Sequence, residues 1–365
     1  MKKPPTAVQS LAPAEVPVWP EQQSDQQRRL ITRKHDSSKT LTRPKHGKSF
    51  AWSQSLCQGI ENLHPFDSKK FGKVVSGLER AGILRRGQLV TAVAADEPML
   101  RDVHDAEYLH SMRTSPRKMA QVVELPPVAC LPNFIVQRYL HHPQCVHVGG
   151  TMLAAALALE HGWSINLGGG MHHAHRKGGA GWCAYDDHML ALRRLRRSTD
   201  NKISKALYID LDVHQGNGVE RDKLHFDDDA LHILDMYNSH LWPGDVYAQA
   251  AINTHVPFST GIADAAYLNQ LQDALDTAFR ECQPNIVLYN AGTDILDGDP
   301  LGRCCISPTG IAERDQMVWM KAISARVPIC MVLSGGYASR SAAVVTDSIE
   351  QLFKIFSLGS MIENR

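Results

Sequence analysis

The sequence predicts an α/β fold: a single domain of three layers, α/β/α, around a central, mostly parallel sheet. Three observations carry this expectation. Short, continuously apolar runs alternate with amphipathic segments of helical period, the pattern of strands covered on both faces. The chain has 365 residues, 43% of them apolar, enough for one large α/β core. Beyond the N-terminal stretch there is no internal repeat and no second shift in composition.

Residues 1–48 are rich in Pro, Gln, Ser, Thr, Lys and Arg without a periodic apolar pattern, and read as a disordered tail. Glu15, Glu21 and Asp25 in it speak against an organelle-transit segment. The folded domain is expected over 49–360. Its predicted strands are Ser164–Leu167, Lys205–Asp210, Leu231–Met236, Ile286–Asn290 and Pro328–Leu333. Predicted helices are Asp67–Gly82, with Gly82 placed to end it, a long Ala/Leu-rich helix within Gly149–His161, Asp187–Arg197, Ala265–Cys282, Pro308–Ala325 and Arg340–Phe356.

The formal net charge of +1 gives no pull toward nucleic acid, and none is expected as a direct partner. No apolar run reaches the roughly 18 residues of a membrane span. Met1-Lys2-Lys3-Pro4-Pro5 lacks the apolar centre of a secretory signal. Eight cysteines without a Cys-x-x-Cys spacing read as reduced thiols, so an intracellular location is expected. The run Arg193-Arg194-Leu195-Arg196-Arg197 reads as the solvated end of a helix, where cations meet the helix dipole favourably.

Most predicted strands are followed by residues able to do chemistry. In a parallel sheet these residues gather at the carboxyl ends of the strands. Asp210, Asp212 and His214 alternate at the end of one strand, which places them on one face. Such a concentration of charge calls for a cation. With Asp294 from another strand end, Asp212 and His214 form a set of three ligands. That suits a catalytic metal with an open position, zinc first, with Fe(II), Mn(II) or Co(II) also compatible. Asp210 either joins that metal, orients an imidazole behind it or helps bind a monovalent cation. His172 and His173 follow Gly168-Gly169-Gly170 and are either a general acid–base pair or surface histidines. Tyr337, after Ser334-Gly335-Gly336, is either an oxyanion donor or a ring packed over a strand end.

Taken together and in order, Gly168-Gly169-Gly170-Met171-His172-His173, Gly181-Trp182-Cys183-Ala184-Tyr185, Ile209-Asp210-Leu211-Asp212-Val213-His214-Gln215-Gly216-Asn217-Gly218, Ala291-Gly292-Thr293-Asp294 with Gly298-Asp299-Pro300, and Ser334-Gly335-Gly336-Tyr337 resemble the zinc-dependent histone deacetylases. His64-Pro65-Phe66-Asp67, Leu131-Pro132-Asn133-Phe134 and His214-Gln215-Gly216-Asn217-Gly218 resemble the class IV branch most. The resemblance implies an arginase/deacetylase-like fold and hydrolysis of N6-acyl-lysine in histones or other proteins. It implies zinc on Asp212, His214 and Asp294, with Fe2+ an alternative, and a potassium ion near Asp210, Asp212, His214 and Asp235. His173 is the implied general base, His172 its electrostatic partner or proton donor, and Tyr337 the oxyanion donor. Gly181 is implied to accept from the substrate amide, and Trp182, Trp242 and Leu301 to line the acyl-lysine tunnel. Nuclear or cytoplasmic location and a corepressor complex follow as further implications.

Two departures stand out. Asn217 takes the place of an Asp behind the second histidine in class I enzymes, which predicts a lower His173 pKa. Lys70 takes the place of an Arg near the foot of the class I tunnel. The class IV likeness also raises removal of long fatty-acyl groups. An acetylpolyamine-type amidohydrolase and a catalytically weak acyl-lysine-binding component of a corepressor are the competing readings.

Overall fold

Among the described residues, eight strands build the sheet: β1 (Phe50–Trp52), β2 (Leu89–Thr91), β3 (Trp163–Leu167), β4 (Ala206–Asp210), β5 (Leu231–Asn238), β6 (Thr254–Phe258), β7 (Ile286–Asn290) and β8 (Ile329–Val332). Their order is β2-β1-β3-β8-β7-β4-β5-β6, and every pairing is parallel. The computed structural model describes residues 50–52, 67, 69–84, 89–200 and 202–358. The expected tail at 1–48 and the His64-Pro65-Phe66 segment lie outside the described residues.

The central strands are buried along their whole length, so each needs a cover on both faces. Alternate residues enter separate cores. Leu207 and Ile209 of β4 and Val287 and Tyr289 of β7 join one cluster. Ala206 and Tyr208, with Ile286 and Leu288, join the other. The first cluster is closed by α1 (Lys70–Arg80), α5 (Asp264–Cys282), α6 (Pro308–Ser324) and α7 (Ser341–Ile355), around Trp163 and Trp319. The second is closed by α2 (His142–His161), α3 (Asp187–Ser198) and Val219 of α4 (Asn217–Phe226). This is the three-layer architecture expected.

Each of the five predicted strands forms, with ends within two residues. Gly82 follows α1 at φ +72°, and its N–H bonds back to the Glu79 carbonyl, as a left-handed helix stop does. The helix placed within Gly149–His161 starts earlier, at His142. Gly149 and Gly150 are interior to it because the helix presses on its neighbours there. A Cβ on Gly149 would sit 1.8 Å from the Val93 carbonyl oxygen. The three unforeseen strands lie at the margins of the sheet: β2 at one edge with β1 next to it, three residues each, and β6 at the other, carrying Pro257, which an edge tolerates. The basic run lies in α3 as expected, with Arg196 paired to Asp228 and Arg197 to Asp102. The cysteines among the described residues are free.

One buried contact fastens the segment between β3 and α3 to α4. Asp186 caps α3 by accepting from Met189 N–H at 2.8 Å. Asp222 of α4 accepts from Arg176 N–H at 2.8 Å. Asp186 Oδ2 and Asp222 Oδ2 are both buried with no donor to meet them, and each carboxyl acts on the other's protonation, which points to a shared proton. Burial raises Asp222 from 3.8 to about 7, against the lowering pull of the Arg176 N–H, Asp186 and the nearby arginines. Between those values an unfolded chain gives up this proton while the folded one keeps it, so stability falls as pH rises through the window. Asp222→Asn supplies a permanent donor and removes the titration. Its melting temperature relative to wild type should therefore rise from pH 5 to pH 8, by the equivalent of on the order of 1 kcal/mol or more. Parallel melting curves at the two pH values check this; a constant offset excludes the shared proton.

Candidate active site

Four neighbouring strands, β3, β8, β7 and β4, send their following loops to one edge of the sheet. These loops carry His172 and His173, Tyr337, Asp294, and Asp212 and His214 respectively. They interlock tightly. Gly170, at φ +86°, has room for no side chain: a Cβ would lie 2.5 Å from Asn290 Oδ1 and 2.6 Å from Ser334 Cβ.

Asp212, His214 and Asp294 offer ligand atoms that all lie within 4.8 Å of one another. His214 Nδ1 is 3.1 Å from Asp212 Oδ1 and 3.2 Å from Asp294 Oδ2. Backbone amides hold the outer oxygens. Val213 N–H donates to Asp294 Oδ1 at 2.9 Å, and Gly335 N–H and the Ser334 hydroxyl donate to Asp212 Oδ2, each at 3.0 Å. Asp294 Oδ2 is buried with no hydrogen-bond partner. Burial opposes a charge on His214, yet the two carboxylates push its pKa up to about 10. Burial and the neighbouring Asp212 raise Asp294 to about 7. The cluster thus attracts positive charge and leaves an oxygen free. Two carboxylates and one imidazole fit a divalent transition metal with an open side.

The histidines sit side by side, ring centroids 4.0 Å apart, but their surroundings differ. His172 Nδ1 is 3.0 Å from Asp210 Oδ2. Burial opposes its charge, but Asp210 and Asp212 prevail and raise it to about 9. His173 Nδ1 is 3.0 Å from Asn217 Oδ1, a neutral amide. Burial, then the charges of His172 and His214, depress it well below the ordinary histidine value. Opposed shifts on neighbouring groups are the mark of an acid and a base. The phenol of Tyr337 is pushed well above its usual value by burial and by Asp212 and Asp294, so it stays a donor.

Asp210 is saturated. Besides His172 it accepts from the Tyr208 hydroxyl at 2.7 Å, Asn290 Nδ2 at 2.8 Å and Asp212 N–H at 3.2 Å. Asp235, on β5, accepts from Gly216 N–H at 2.8 Å, and its other oxygen is buried without a partner. Gly181 and Trp182 line a cavity of about 670 Å³, open mouth included, with His172, His173, Asp212 and Tyr337. Inward it reaches Phe71, Leu140, Pro143 and His147. Gly181 has φ +54°, and a Cβ there would meet His173 Cδ2 at 2.8 Å. Trp242 is half exposed and packs on the His173 ring at 4.5 Å. Neither Trp242 nor Leu301 is among the residues lining this cavity; the Leu301 N–H is held by Asp299 at 3.0 Å. Lys70 is buried, and its ammonium donates to the Ser334 and Gly335 carbonyls at 2.7 and 2.6 Å. Burial lowers it to about 8 against the pull of Asp294 and Asp212.

Three site-shaping residues escape the sequence reading. Asp187 accepts from Gly170 and Met171 N–H at 2.9 and 2.8 Å, setting the turn before the histidines. Asp299 accepts from Tyr337 and Ala338 N–H at 2.7 and 3.0 Å. Asp245 accepts from Asn217 Nδ2 at 3.2 Å. Asp299 stands inside a quoted motif and Asp187 opens a predicted helix, but nothing in their spacing marks them as backbone clamps.

A Cβ on Gly335 would lie 2.5 Å from both Asp212 Oδ2 and Asp294 Oδ2. Gly335→Ala should therefore lose bound divalent metal as completely as Asp212→Ala while every ligand is retained. Metal content per chain after dialysis measures this; full occupancy in Gly335→Ala would place the ion elsewhere.

Comparison with known proteins agrees with this geometry. The histone deacetylase domain matches residues 64–352. Histone deacetylase 2 of Arabidopsis thaliana is 46% identical over 298 residues, 80% of this chain and 75% of that protein. An uncharacterized protein of Picosynechococcus is 31% identical over 281 residues, 76% of this chain and 88% of its own length. In fold, the HD domain of HDA15 superposes with a TM-score of 0.67 at 18% identity, covering 86% of this chain and 90% of that domain. With a domain match along most of its length and relatives of this identity, the chain belongs to the histone deacetylase family of hydrolases.

Proposed function

We propose that this enzyme hydrolyses N6-acyl-lysine in proteins, histones among them, with zinc held by Asp212, His214 and Asp294. The reading is carried by one observation. A metal-ligand trio, two histidines shifted in opposite directions and a protonated phenol converge on one cavity. Zinc in that trio supplies Lewis acidity toward an amide carbonyl and water. His173, neutral, takes the proton of the attacking water through Nε2. Tyr337 donates to the carbonyl oxygen as it gains charge. His172, kept cationic by Asp210, stabilises that charge and provides a proton for the leaving lysine amine. The Gly181 carbonyl accepts from the substrate amide, while Trp182 and Trp242 flank the lysine stem. A potassium ion against Asp235, whose second oxygen is unpartnered, and the backbone around Asp210, whose carboxylate is already filled, belongs to the same reading. So do action in the nucleus or cytoplasm and a place in a corepressor complex.

The test is a deacylation panel, acetyl through myristoyl, on lysine peptides beside acetylated polyamines. Tyr337→Phe should lower kcat by about a hundredfold to a thousandfold, and Asp212→Ala should abolish turnover. Unchanged activity in Asp212→Ala overturns the reading. A second test concerns the base. Activity rises with pH as His173 becomes neutral. Asn217→Asp places a carboxylate on its Nδ1 and raises its pKa, so the acidic limb of kcat/KM should move to higher pH. An unmoved limb assigns that limb to another group.

A further inference from the structure

We infer that Asp245 is a positioning residue for the reaction: it fixes which end of the Asn217 amide faces His173, and so which nitrogen of His173 carries the proton. The inference rests on the proposed role of His173 as base. An amide has two unlike ends, a carbonyl that accepts and an NH2 that donates. Asn217 presents Oδ1 to His173 Nδ1 at 3.0 Å and Nδ2 to Asp245 Oδ2 at 3.2 Å. An ionised carboxylate only accepts. It admits the NH2 end of Asn217 and repels the carbonyl end. The carbonyl is therefore left to His173, whose Nδ1 must donate to it. In a neutral ring the lone pair is then on Nε2, the nitrogen a base at the cavity has to use. A flipped amide would put NH2 on Nδ1, move the ring proton to Nε2 and leave two oxygens face to face.

Asp245 is built to hold this orientation. Its side chain is about nine-tenths buried. Arg221 Nε donates to the same oxygen at 2.5 Å, and Ala248 N–H donates to the other at 3.2 Å. Gln215, next to His214, clamps its backbone from both sides: Asp245 N–H donates to Gln215 Oε1 at 2.8 Å, and Gln215 Nε2 donates to the Asp245 carbonyl at 3.0 Å. Burial alone would raise its carboxyl, but the Arg221 and Asn217 hydrogen bonds hold it below the usual carboxylate range. His172 needs no such device, because the Asp210 carboxylate behind it has no wrong end.

Asp245→Ser tests the inference in the zinc-loaded enzyme. Serine retains a helix-capping oxygen for the Ala248 N–H but is too short to reach Asn217. In the Asn217 enzyme, kcat should fall about tenfold to a hundredfold with KM changed less than about twofold. In the Asn217→Asp background the same change should cost nothing or raise kcat, since a carboxylate at 217 cannot flip and is freed from a like charge. Ring 15N spectra, with His173 assigned against His173→Gln, should show an Nδ1–H tautomer in wild type and loss of it in Asp245→Ser. Equal losses in both backgrounds, or an unchanged tautomer in Asp245→Ser, overturn the inference. The tautomer is read without turnover, so a wild-type enzyme inactive on acyl-lysine would refute the proposed function while this measurement still decides the role of Asp245.

Discussion

Burying the carboxylates of Asp212 and Asp294 beside each other, with His214 Nδ1 within 3.2 Å of both, is the constraint around which the site is arranged. Like charges that close in a dry environment repel strongly unless cations and donors compensate. The compensation begins in the backbone, with Val213 and Gly335 N–H groups on the outer oxygens. It continues beneath the sheet edge. The fully buried Arg314 donates to the Gly292 and Leu211 carbonyls, one just ahead of each ligand strand's carboxylate. Asp315 pairs with Arg314 at 2.8 Å and takes hydrogen bonds from the Tyr289 and Ser348 hydroxyls at 2.5 Å. The two ligand loops are thus pinned by one guanidinium whose own charge is locally balanced.

The same economy separates the two histidines. Both rings meet an acceptor through Nδ1 at 3.0 Å. One acceptor is a carboxylate and the other an amide, so the charge that offsets burial at His172 has no counterpart at His173, where burial and the charges of His172 and His214 prevail. A dication in the trio would lower both, since it repels either imidazolium. The order between them would persist, because Asp210 stands behind His172 and only a neutral amide behind His173. The carboxylate missing behind His173 has not vanished from the structure. It lies one side chain further out, at Asp245, neutralised by Arg221.

How much of this was legible in the sequence follows from how local each signal is. The strands β3, β4, β5, β7 and β8 are buried throughout because both faces are covered, and their largely apolar composition reveals them. Phe50–Trp52 and Leu89–Thr91 are too short for any pattern, and Thr254–Phe258 mixes buried and exposed positions around a proline. The gathering of Asp212, His214 and Asp294 with the two adjacent histidines was legible because four strand ends each delivered reactive groups. Gly149 was misread as a boundary because its reason is a contact with Val93, more than fifty residues away in the chain. Trp242 and Leu301 were read from the resemblance alone; Trp242 packs on the His173 ring and Leu301 sits in a turn held by Asp299.

Aspartates do three different jobs here, and only geometry distinguishes them. Asp187 and Asp299 spend their oxygens on backbone N–H groups of the loops bearing His172 and Tyr337. A carboxylate satisfied in that way is fixed and has little left for an ion. Asp210 is likewise filled, by an imidazole, a phenol, an amide and a peptide N–H. Asp294 is the contrast: one oxygen is held by Val213, while the other is buried, faces His214 and has no hydrogen-bond partner. A ligand is an acceptor held firmly at one end and left unmet at the other. Asp-containing motifs cannot state which oxygen is spent, so the alternating Asp210, Asp212 and His214 look equivalent along the strand. Their neighbours divide them, leaving Asp210 to set the charge of His172 and Asp212 to face the cavity with Asp294 and His214.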